Sequence, residues 1–311
     1  MIDLGQLKAL RALADHETVT AAARVLHLSP SAVSQQIAAL ARSVGVPLVV
    51  RHGRRVRLTP QANLLLGHAR VVETQLERAR TDLAAFDEGE VGNVTVGAFA
   101  TAISSLVAPA LGLLSKDRPR LAVTVMEVEA PECFQLLDAG SADLVVTVDY
   151  QSGPRRGDTR YERIDLVRDP LLAVLPSRHP LARHRHVSLS ALANEAWAMG
   201  TPGHPCVDIT VAALAAASIT ARTCHRVNDW DALICLVAEG SAVALVPALA
   251  LSAQRDQLVA LPVKPSQPAR NIYAAMRSGS AHAPHIAAVV EALSMVASLV
   301  RPRGEAIRER I

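Results

Sequence analysis

The sequence contains few aromatic residues and few cysteines. Phe, Trp and Tyr make up 3% of the 311 residues, so any core must be built mainly from Ala, Val and Leu. The four cysteines, Cys133, Cys206, Cys224 and Cys235, form no CxxC pair. In a chain of this length, that pattern favours free buried thiols over a disulfide framework or a zinc site.

The sequence also lacks long apolar runs and hydrolase motifs. No apolar run reaches the ~18 residues that a membrane helix needs, and no signal-peptide pattern opens the chain. We therefore expect a cytoplasmic protein with no membrane partner. The motifs GxSxG and HExxH are absent, and the histidines within 179–186 and 282–285 have no Cys or acid at metal-ligand spacing. We expect no enzyme activity, no cofactor and no metal.

Positive charge is concentrated at the amino terminus. The net charge is +3, but residues 1–60 carry eight basic and three acidic side chains, whereas residues 61–90 carry three basic and six acidic ones. The length suggests about two domains. We expect only the amino-terminal one to contact phosphates.

Helix patterns follow one another closely near the amino terminus. Residues 4–14 repeat apolar side chains at helical spacing, and Thr18 and Thr20 are N-cap candidates for a second, alanine-rich helix. Ser29 and Pro30 predict the N-cap and first residue of a third helix, since proline loses no hydrogen bond in the first turn.

The third predicted helix has one apolar and one polar face. Val33, Ile37 and Leu40 fall at i, i+4 and i+7 and should face inward. The DNA major groove admits one helix and presents donors and acceptors that Ser and Gln can match. A polar surface helix without a ligand is the alternative. The candidate DNA-binding residues of this helix are Ser29, Pro30, Ser31, Ser34, Gln35 and Gln36.

A basic hairpin is predicted directly after this helix. The run PLVVRHGRRVRL has two short apolar segments around a turn at Gly53. A solvated basic turn is one interpretation. After a helix-turn-helix, a wing that contacts phosphates or the minor groove is better supported, with Arg51, Arg54 and Arg55 as candidates.

A long helix is predicted from Thr59 and Pro60 to about Phe86. Apolar residues recur in it every seven positions, which predicts pairing with another helix. Burial of these rows inside one chain is the alternative. The two rows are Ala62, Ala69, Leu76 and Leu83, and Leu65, Val72, Ala79 and Phe86.

After Gly92, short β-rich runs alternate with helices, which predicts parallel strands with crossover helices. Two such sets, the second including a predicted helix over LSALANEAW, resemble the two lobes of a type 2 periplasmic-binding-protein fold. The expected division is a winged helix-turn-helix at 1–59, a linker helix at 60–90, and an effector domain at 91–300 with lobe I at 91–162 and 268–300 and lobe II at 163–267.

An effector site is expected between the lobes. In open α/β sheets, ligands bind at the carboxyl ends of strands and beside helix N-termini, which favour anions. Each hydroxyl there could equally be a helix cap. The ligand expected is a small carboxylate or amino acid. The candidate residues are Thr101, Ser104, Ser105, Glu129, Pro131, Val148, Thr201, Pro202 and Gly203.

The run TAAARVLHLSPSAVSQQIAAL, followed by GVPL and RHGRRVRLTP, resembles the DNA-binding domain of LysR-type transcriptional regulators. The resemblance continues through RHPLA (178–182) and VNDWDALICLVAEGSAVALVP (227–247) and covers nearly the whole chain. Several ordered matches are more specific than one helix-turn-helix pattern. The chain departs from the usual pattern at Pro30–Ser31, Ala41, Val49 and Ala62, where the family usually has Gln–Pro, Glu, Phe and Gly.

This resemblance implies an α/β regulator in which an effector changes the lobe angle and so the arrangement of DNA-binding units. The implied partners are double-stranded DNA, a small-molecule effector and further copies in a homodimer or homotetramer, with RNA polymerase as a further candidate. One alternative function is a redox-responsive regulator acting through Cys206 or Cys224. An enzyme or a transporter-type binding protein is another.

Overall fold

The computed structural model describes residues 2–52, 55–85, 92–151, 153–251 and 256–300. Its amino-terminal part consists of α1 (Leu4–His16), α2 (Val19–Val25), α3 (Pro30–Val44), β1 (Val49–His52), β2 (Arg55–Leu58) and the long helix α4 (Pro60–Ala85). The strands β1 and β2 pair as an antiparallel hairpin.

The predicted starts of α3 and α4 are confirmed by their caps. Ser29 Oγ accepts a hydrogen bond from the Ala32 amide at 3.1 Å, and Thr59 Oγ1 accepts one from the Ala62 amide at 3.1 Å. Each hydroxyl satisfies an amide that the first helical turn leaves without a backbone partner.

The remaining elements build two α/β lobes. In chain order they are β3 (Gly92–Ala98), α5 (Ala100–Ala102), a π-helical turn (Ile103–Val107), α6 (Ala108–Asp117), β4 (Leu121–Glu127), α7 (Glu132–Ala139), β5 (Leu144–Val148), β6 (Tyr161–Pro176), β7 (Ala196–Met199), α8 (Pro205–Ala216), β8 (Arg222–Arg226), α9 (Trp230–Ala238), β9 (Ala244–Pro247), β10 (Leu258–Leu261), β11 (Ala269–Arg277) and α10 (Pro284–Leu299). Short 3₁₀ turns lie at Pro180–Arg183, Leu189–Leu192 and Ala248–Ala250.

The strand β6 joins the two lobes. Its first part pairs with β11, which also pairs with β5 beside β3 and β4, and these strands belong to lobe I. Its last residues pair instead with β9 and β10 in lobe II. Lobe I packs β3, β5 and β11 against α6 and α10, while β7, β8 and α8 complete lobe II. Residues near the middle of β6 and at the start of β11 therefore lie between the lobes.

The parallel strands expected after Gly92 are present, since β3 is parallel to β4 and β5. The strand β6 pairs antiparallel with β9, β10 and β11. One expectation for lobe II is wrong. The run LSALANEAW is not one helix, since Leu189–Leu192 forms a 3₁₀ turn and Ala196–Met199 forms β7. Trp197 is fully buried in this strand, which pairs with β8. Strand pairing and burial override the local helix pattern here.

The apolar rows of α4 are buried near the start of the helix and exposed further along it. Ala62 and Ala69 are buried in the core that α1, α2 and α3 share. Val72 and Leu76, one and two turns further on, are 46% and 45% exposed. The first part of the seam is therefore used within the chain, and pairing of α4 with a second copy stays a prediction. Within the described segments, no helix has both the length and the apolar content to cross a bilayer.

Candidate nucleic-acid interface and effector cleft

The helix α3 presents small polar side chains on its outer face. Val33, Ile37 and Leu40 are at most 4% exposed and hold the opposite face in the core. The sequence-predicted residues Ser29, Pro30, Ser31, Ser34 and Gln35 are exposed, and Gln36 is half-buried. The Ser29 and Ser31 hydroxyls lie 3.0 Å apart, so the cap also orients the first outward side chain. All six side chains thus lie on or near one accessible surface.

The hairpin carries two of the three predicted wing arginines in its strands. Arg51 lies in β1 opposite Val56, and Arg55 lies in β2 opposite His52. Arg54 lies outside the described residues. The backbone places Arg51 and Arg55 near the turn of a hairpin that follows α3 in the same core.

A buried ion pair forms the floor between the two lobes. Arg270, at the start of β11, donates a hydrogen bond from Nε to Asp169 Oδ2 of β6 at 2.9 Å, and its Nη2 forms an ion pair with the same oxygen at 2.9 Å. The two residues are 2% and 0% exposed. Asp169 Oδ1 also accepts a hydrogen bond from the Leu249 amide of lobe II. A pair this buried is stable only because its remaining polar atoms are satisfied.

The buried ion pair contacts residues of both lobes. Thr101 of lobe I accepts a hydrogen bond from Arg270 Nη2 at 2.9 Å, and Arg270 Nη1 lies 3.7 Å from Cys206 Sγ of lobe II. The guanidinium also lies over the Phe99 ring, 4.9 Å from its centroid. The sequence prediction included Thr101 but missed Arg270 and Asp169. In the sequence, the only indication of these two residues was a charged residue inside or next to each of two apolar strands.

Glu129 and His204 face each other across the cleft. His204 Nε2 of lobe II lies 4.0 Å from Glu129 Oε1 of lobe I. Burial raises the pKa of Glu129 to about 7; the positive charge of Arg270 opposes this rise, and the charges of Glu127 and Glu132 add to it. Burial lowers the pKa of His204, and Arg270 lowers it further. The neutral form of each side chain is therefore favoured relative to the form it takes in water, and the Glu129 carboxyl gains or loses its proton near neutral pH.

Of four other predicted effector residues, one lies at the contact between the lobes and three lie elsewhere. Ser105 Oγ donates to the Leu249 carbonyl at 3.5 Å, a contact between the lobes, whereas Ser104 Oγ donates to its own helix at the Thr101 carbonyl. Val148 is 3% exposed in the lobe I core. Pro131 lines a different cavity, on the side of lobe I that faces α1.

The loop Thr201–Gly203 is exposed and leads into α8. The Thr201 amide and hydroxyl donate to Asn228 Oδ1 at 2.8 and 3.1 Å, which fixes the loop against lobe II. The enclosed space beside His204, Cys206 and Trp230 is only 10 Å³. A metabolite therefore requires the cleft to open further. Among the residues that the structure describes, no three His, Cys, Asp or Glu side chains could hold a metal ion.

These features define a DNA-binding protein with a two-lobed α/β sensor domain. Two family models match the chain: the bacterial regulatory helix-turn-helix protein, lysR family, at residues 4–63, and the LysR substrate binding domain at residues 87–298. The chain belongs to the LysR family of DNA-binding transcriptional regulators. The fold class expected from the sequence is confirmed.

Relatives match over most of the chain. It is 28% identical over 281 residues to the DNA-binding transcriptional dual regulator OxyR of Escherichia coli, covering 90% of each protein. It is 31% identical over 262 residues to the regulator TfdS of Cupriavidus pinatubonensis, covering 82% of this chain and 85% of that protein. A hydrogen-peroxide-bound OxyR mutant of Corynebacterium glutamicum shares the fold, with a TM-score of 0.62, 23% identity and coverage of 98% and 96%.

Proposed function

We propose that the outer face of α3 reads the bases of an operator in the major groove. The observation that carries the proposal is the division of one helix into a buried apolar face and an exposed row of Ser and Gln side chains. The hairpin arginines Arg51, Arg54 and Arg55 contact phosphates or the minor groove and fix the register of the protein on DNA. Full-length CbnR, solved with its target DNA, shares the fold at 22% identity and a TM-score of 0.57.

The same proposal assigns a separate function to each of three segments of the chain. Residues 1–59 bind DNA, residues 60–90 pair two chains, and residues 91–300 bind the effector, with lobe II at 163–267 and lobe I in the remainder. The protein acts in the bacterial cytoplasm, where its operators are, as a regulator and not as an enzyme. Assembly to a tetramer and contact with RNA polymerase are further parts of the proposal.

The pairing surface proposed is the exposed half of the α4 seam. Val72 and Leu76 are large apolar side chains that α4 leaves exposed, and Val71 beside them is 61% exposed. A second α4 packed along them would remove this apolar surface from water. Two chains joined in this way would present two α3 helices to the two halves of a pseudo-palindrome.

The proposed effector is a small amino acid or carboxylate held between the lobes. Glu129 can pair with an ammonium group, and the amino end of α8, reached through Thr201–Gly203, favours a carboxylate. Arg270 is unavailable, because Asp169 and Thr101 already accept its hydrogen bonds. Binding must separate Glu129 from His204, which changes the lobe angle and couples the ligand to the DNA-binding units.

Selection from random duplexes tests the DNA-binding part. The full chain should enrich a two-fold symmetric sequence whose half-sites lie about 10 base pairs apart, or a multiple of that. Enrichment of no sequence, or of a single asymmetric site, would contradict the proposal of a dimeric reader. The Gln35→Ala variant should change which bases are enriched. The Gln75→Ala variant, which removes an exposed glutamine from α4, should not.

Thermal-shift screening with small amino acids and carboxylates tests the effector site, because a ligand that binds only the folded state raises the melting temperature. Glu129→Gln should remove the shift produced by an amino acid. Arg226→Gln, which changes an exposed residue of β8, should leave it intact. A shift that both variants retain would place the ligand elsewhere.

Redox control is the second candidate, favoured by the similarity to OxyR over 90% of the chain. Two properties of Cys206 oppose a role as the sensor: it is 3% exposed, and burial raises the pKa of its thiol. Cys224 is an exposed free cysteine. Redox control predicts that peroxide changes DNA binding and that Cys206→Ser or Cys224→Ser abolishes the change. If peroxide has no effect, this candidate is excluded.

A further inference from the structure

A further cavity lies where the DNA-binding part meets lobe I. It measures 590 Å³ and is lined by α1, α4 and the lobe I segments around Asp138, Thr159 and Arg277. This volume is typical of small-molecule sites, which span about 300–1,000 Å³. The cleft residues Thr101, Glu129 and His204 are not among its walls. The cavity is therefore separate from the proposed effector cleft.

The acidic groups on the wall are largely neutralised by arginines. Three carboxylates form ion pairs across the joint: Glu73 with Arg11, Asp15 with Arg160 at 3.6 Å, and Glu77 with Arg277 at 3.6 Å. The fourth acid, Asp138, accepts a hydrogen bond from the Tyr161 hydroxyl at 2.7 Å, and burial raises the pKa of its carboxyl. The acids of the wall thus repel an anion only weakly.

Two arginines and a lysine on the wall still have unused donors. Arg70 donates from Nη1 to Thr159 Oγ1 at 2.7 Å, but its Nε is buried without a hydrogen-bond partner among the described residues. Arg11 Nη2 is likewise buried and unpaired within the described part of the chain. Lys8 lines the same cavity with an exposed side chain and forms no ion pair with a described residue. The two buried arginine donors without acceptors are costly, and an anion would satisfy them.

The rest of the wall is partly apolar. Leu4, Val25 and Leu26 line the cavity together with the charged groups. An inorganic anion would leave these side chains without a contact. We propose that this joint cavity binds a carboxylate with an apolar body, its head group held by Arg70, Arg11 and Lys8 and its body packed on the leucines.

Such a ligand would lie between the DNA-binding part and lobe I. Arg11 of α1 and Arg70 of α4 would hold its head group, and Asp138 and Arg277 of lobe I line the same cavity. Thr159 of lobe I also accepts a hydrogen bond from Arg70, which links the bound head group to lobe I. A bound carboxylate would therefore restrain the orientation of the DNA-binding part relative to lobe I. This provides a second chemical input to DNA binding, independent of the interlobe effector.

The test uses 3-phenylpropionate as a probe, with 3-phenylpropanamide and 3-phenylpropylamine as its neutral and cationic counterparts. Calorimetric titration of the full chain should show one saturable site for the carboxylate, with at least about tenfold weaker binding of the amide and none of the amine. Arg70→Gln and Lys8→Gln should each weaken carboxylate binding by about tenfold. Circular dichroism and the melting temperature verify that both variants fold.

Two control variants locate the site. Arg226→Gln removes a cation from lobe II, and Glu129→Gln alters the interlobe cleft; both should bind 3-phenylpropionate as the unmodified chain does. The proposal is overturned if no carboxylate binding saturates, if the amide binds equally well, or if both cavity variants retain full affinity. A change in affinity in Glu129→Gln alone, in either direction, would place the anion in the interlobe cleft and also overturn it. None of these results bears on recognition of DNA by α3.

Discussion

Arg270 and Asp169 show how one buried pair can organise a cleft built from both lobes. The pair lies on β6 and β11, the two strands that pass between the lobes, and it binds Thr101 on one side and the Leu249 amide on the other. Residues that approach from either lobe are therefore positioned by the same guanidinium and carboxylate. Its contribution to stability depends on both partners being present.

Replacing Arg270 should strongly destabilise the protein. Arg270→Met leaves the Asp169 carboxylate buried without its cation, at a cost of about 3–5 kcal/mol in the free energy of unfolding. Arg156 and Asp165 form a matched exposed pair, with side chains that are 64% and 52% exposed. Arg156→Met should therefore cost less than about 1 kcal/mol. Urea denaturation measures both values, and equal costs would show that the buried pair has no special role.

Glu129 should make stability fall as pH rises. Its pKa is about 7 in the folded protein, against 4.5 for a fully solvated glutamate, so the folded chain holds a proton that the unfolded chain releases between these values. The stabilisation is complete below pH 4.5 and is lost as pH rises through about 7. Because the side chain is 45% exposed, we expect an effect on the order of 1 kcal/mol.

The Glu129→Gln variant isolates this titration. Its free energy of unfolding, subtracted from that of the unmodified chain at each pH, removes the opposing contribution of His204. The difference should favour the unmodified chain most at low pH and shrink as pH rises through about 7. A difference that does not vary with pH would show that the Glu129 carboxyl is not perturbed.

At the scale of elements, local sequence determines where the helices of the DNA-binding part begin. Ser29–Pro30 and Thr59–Pro60 are recognisable because an N-cap hydroxyl and a proline act within one turn. The strand β7 was missed because its pairing with β8 and the burial of Trp197 come from distant residues. The interlobe floor was missed for the same reason, since Arg270 meets Asp169 and Thr101 only after the chain has folded.

The contribution of the Ser29 cap to the stability of α3 should be measurable separately. Ser29→Ala removes the acceptor of the Ala32 amide and should destabilise the first turn by about 1 kcal/mol. The amides of that turn should then exchange hydrogen several-fold faster. Ser43→Ala is a matched control in the same helix, because the Ser43 hydroxyl only donates to the Leu40 carbonyl within it. Equal exchange in the two variants would contradict the capping role.

At the scale of the whole molecule, the proposed function requires more than one chain. A single α3 can contact one half-site, whereas the exposed row on α4 offers a surface along which two chains can join. The interlobe cleft can regulate DNA binding only if a change in lobe angle alters how such chains are arranged. In the proposed function, pairing through α4 therefore connects the cleft to the operator.

Disrupting the α4 seam should dissociate the dimer. Val72→Asp places a charge on the 46% exposed apolar row, which opposes burial of that row against a second helix. Analytical ultracentrifugation should find the unmodified chain as a dimer or tetramer and this variant at a lower mass. Asn63→Asp, a change at an exposed α4 position outside both rows, should not alter the mass. A monomeric unmodified chain would refute the pairing proposal.

Operator affinity of an α3 double variant is the most direct measurement. Fluorescence anisotropy at fixed salt compares the unmodified chain, Gln35→Ala/Gln36→Ala, and the Gln75→Ala control on the selected operator and on a scrambled duplex. The double variant should lose at least about tenfold in affinity for the operator while binding the scrambled duplex as before, because phosphate contacts remain. If the double variant binds the operator as tightly as the unmodified chain, α3 is not the element that reads DNA.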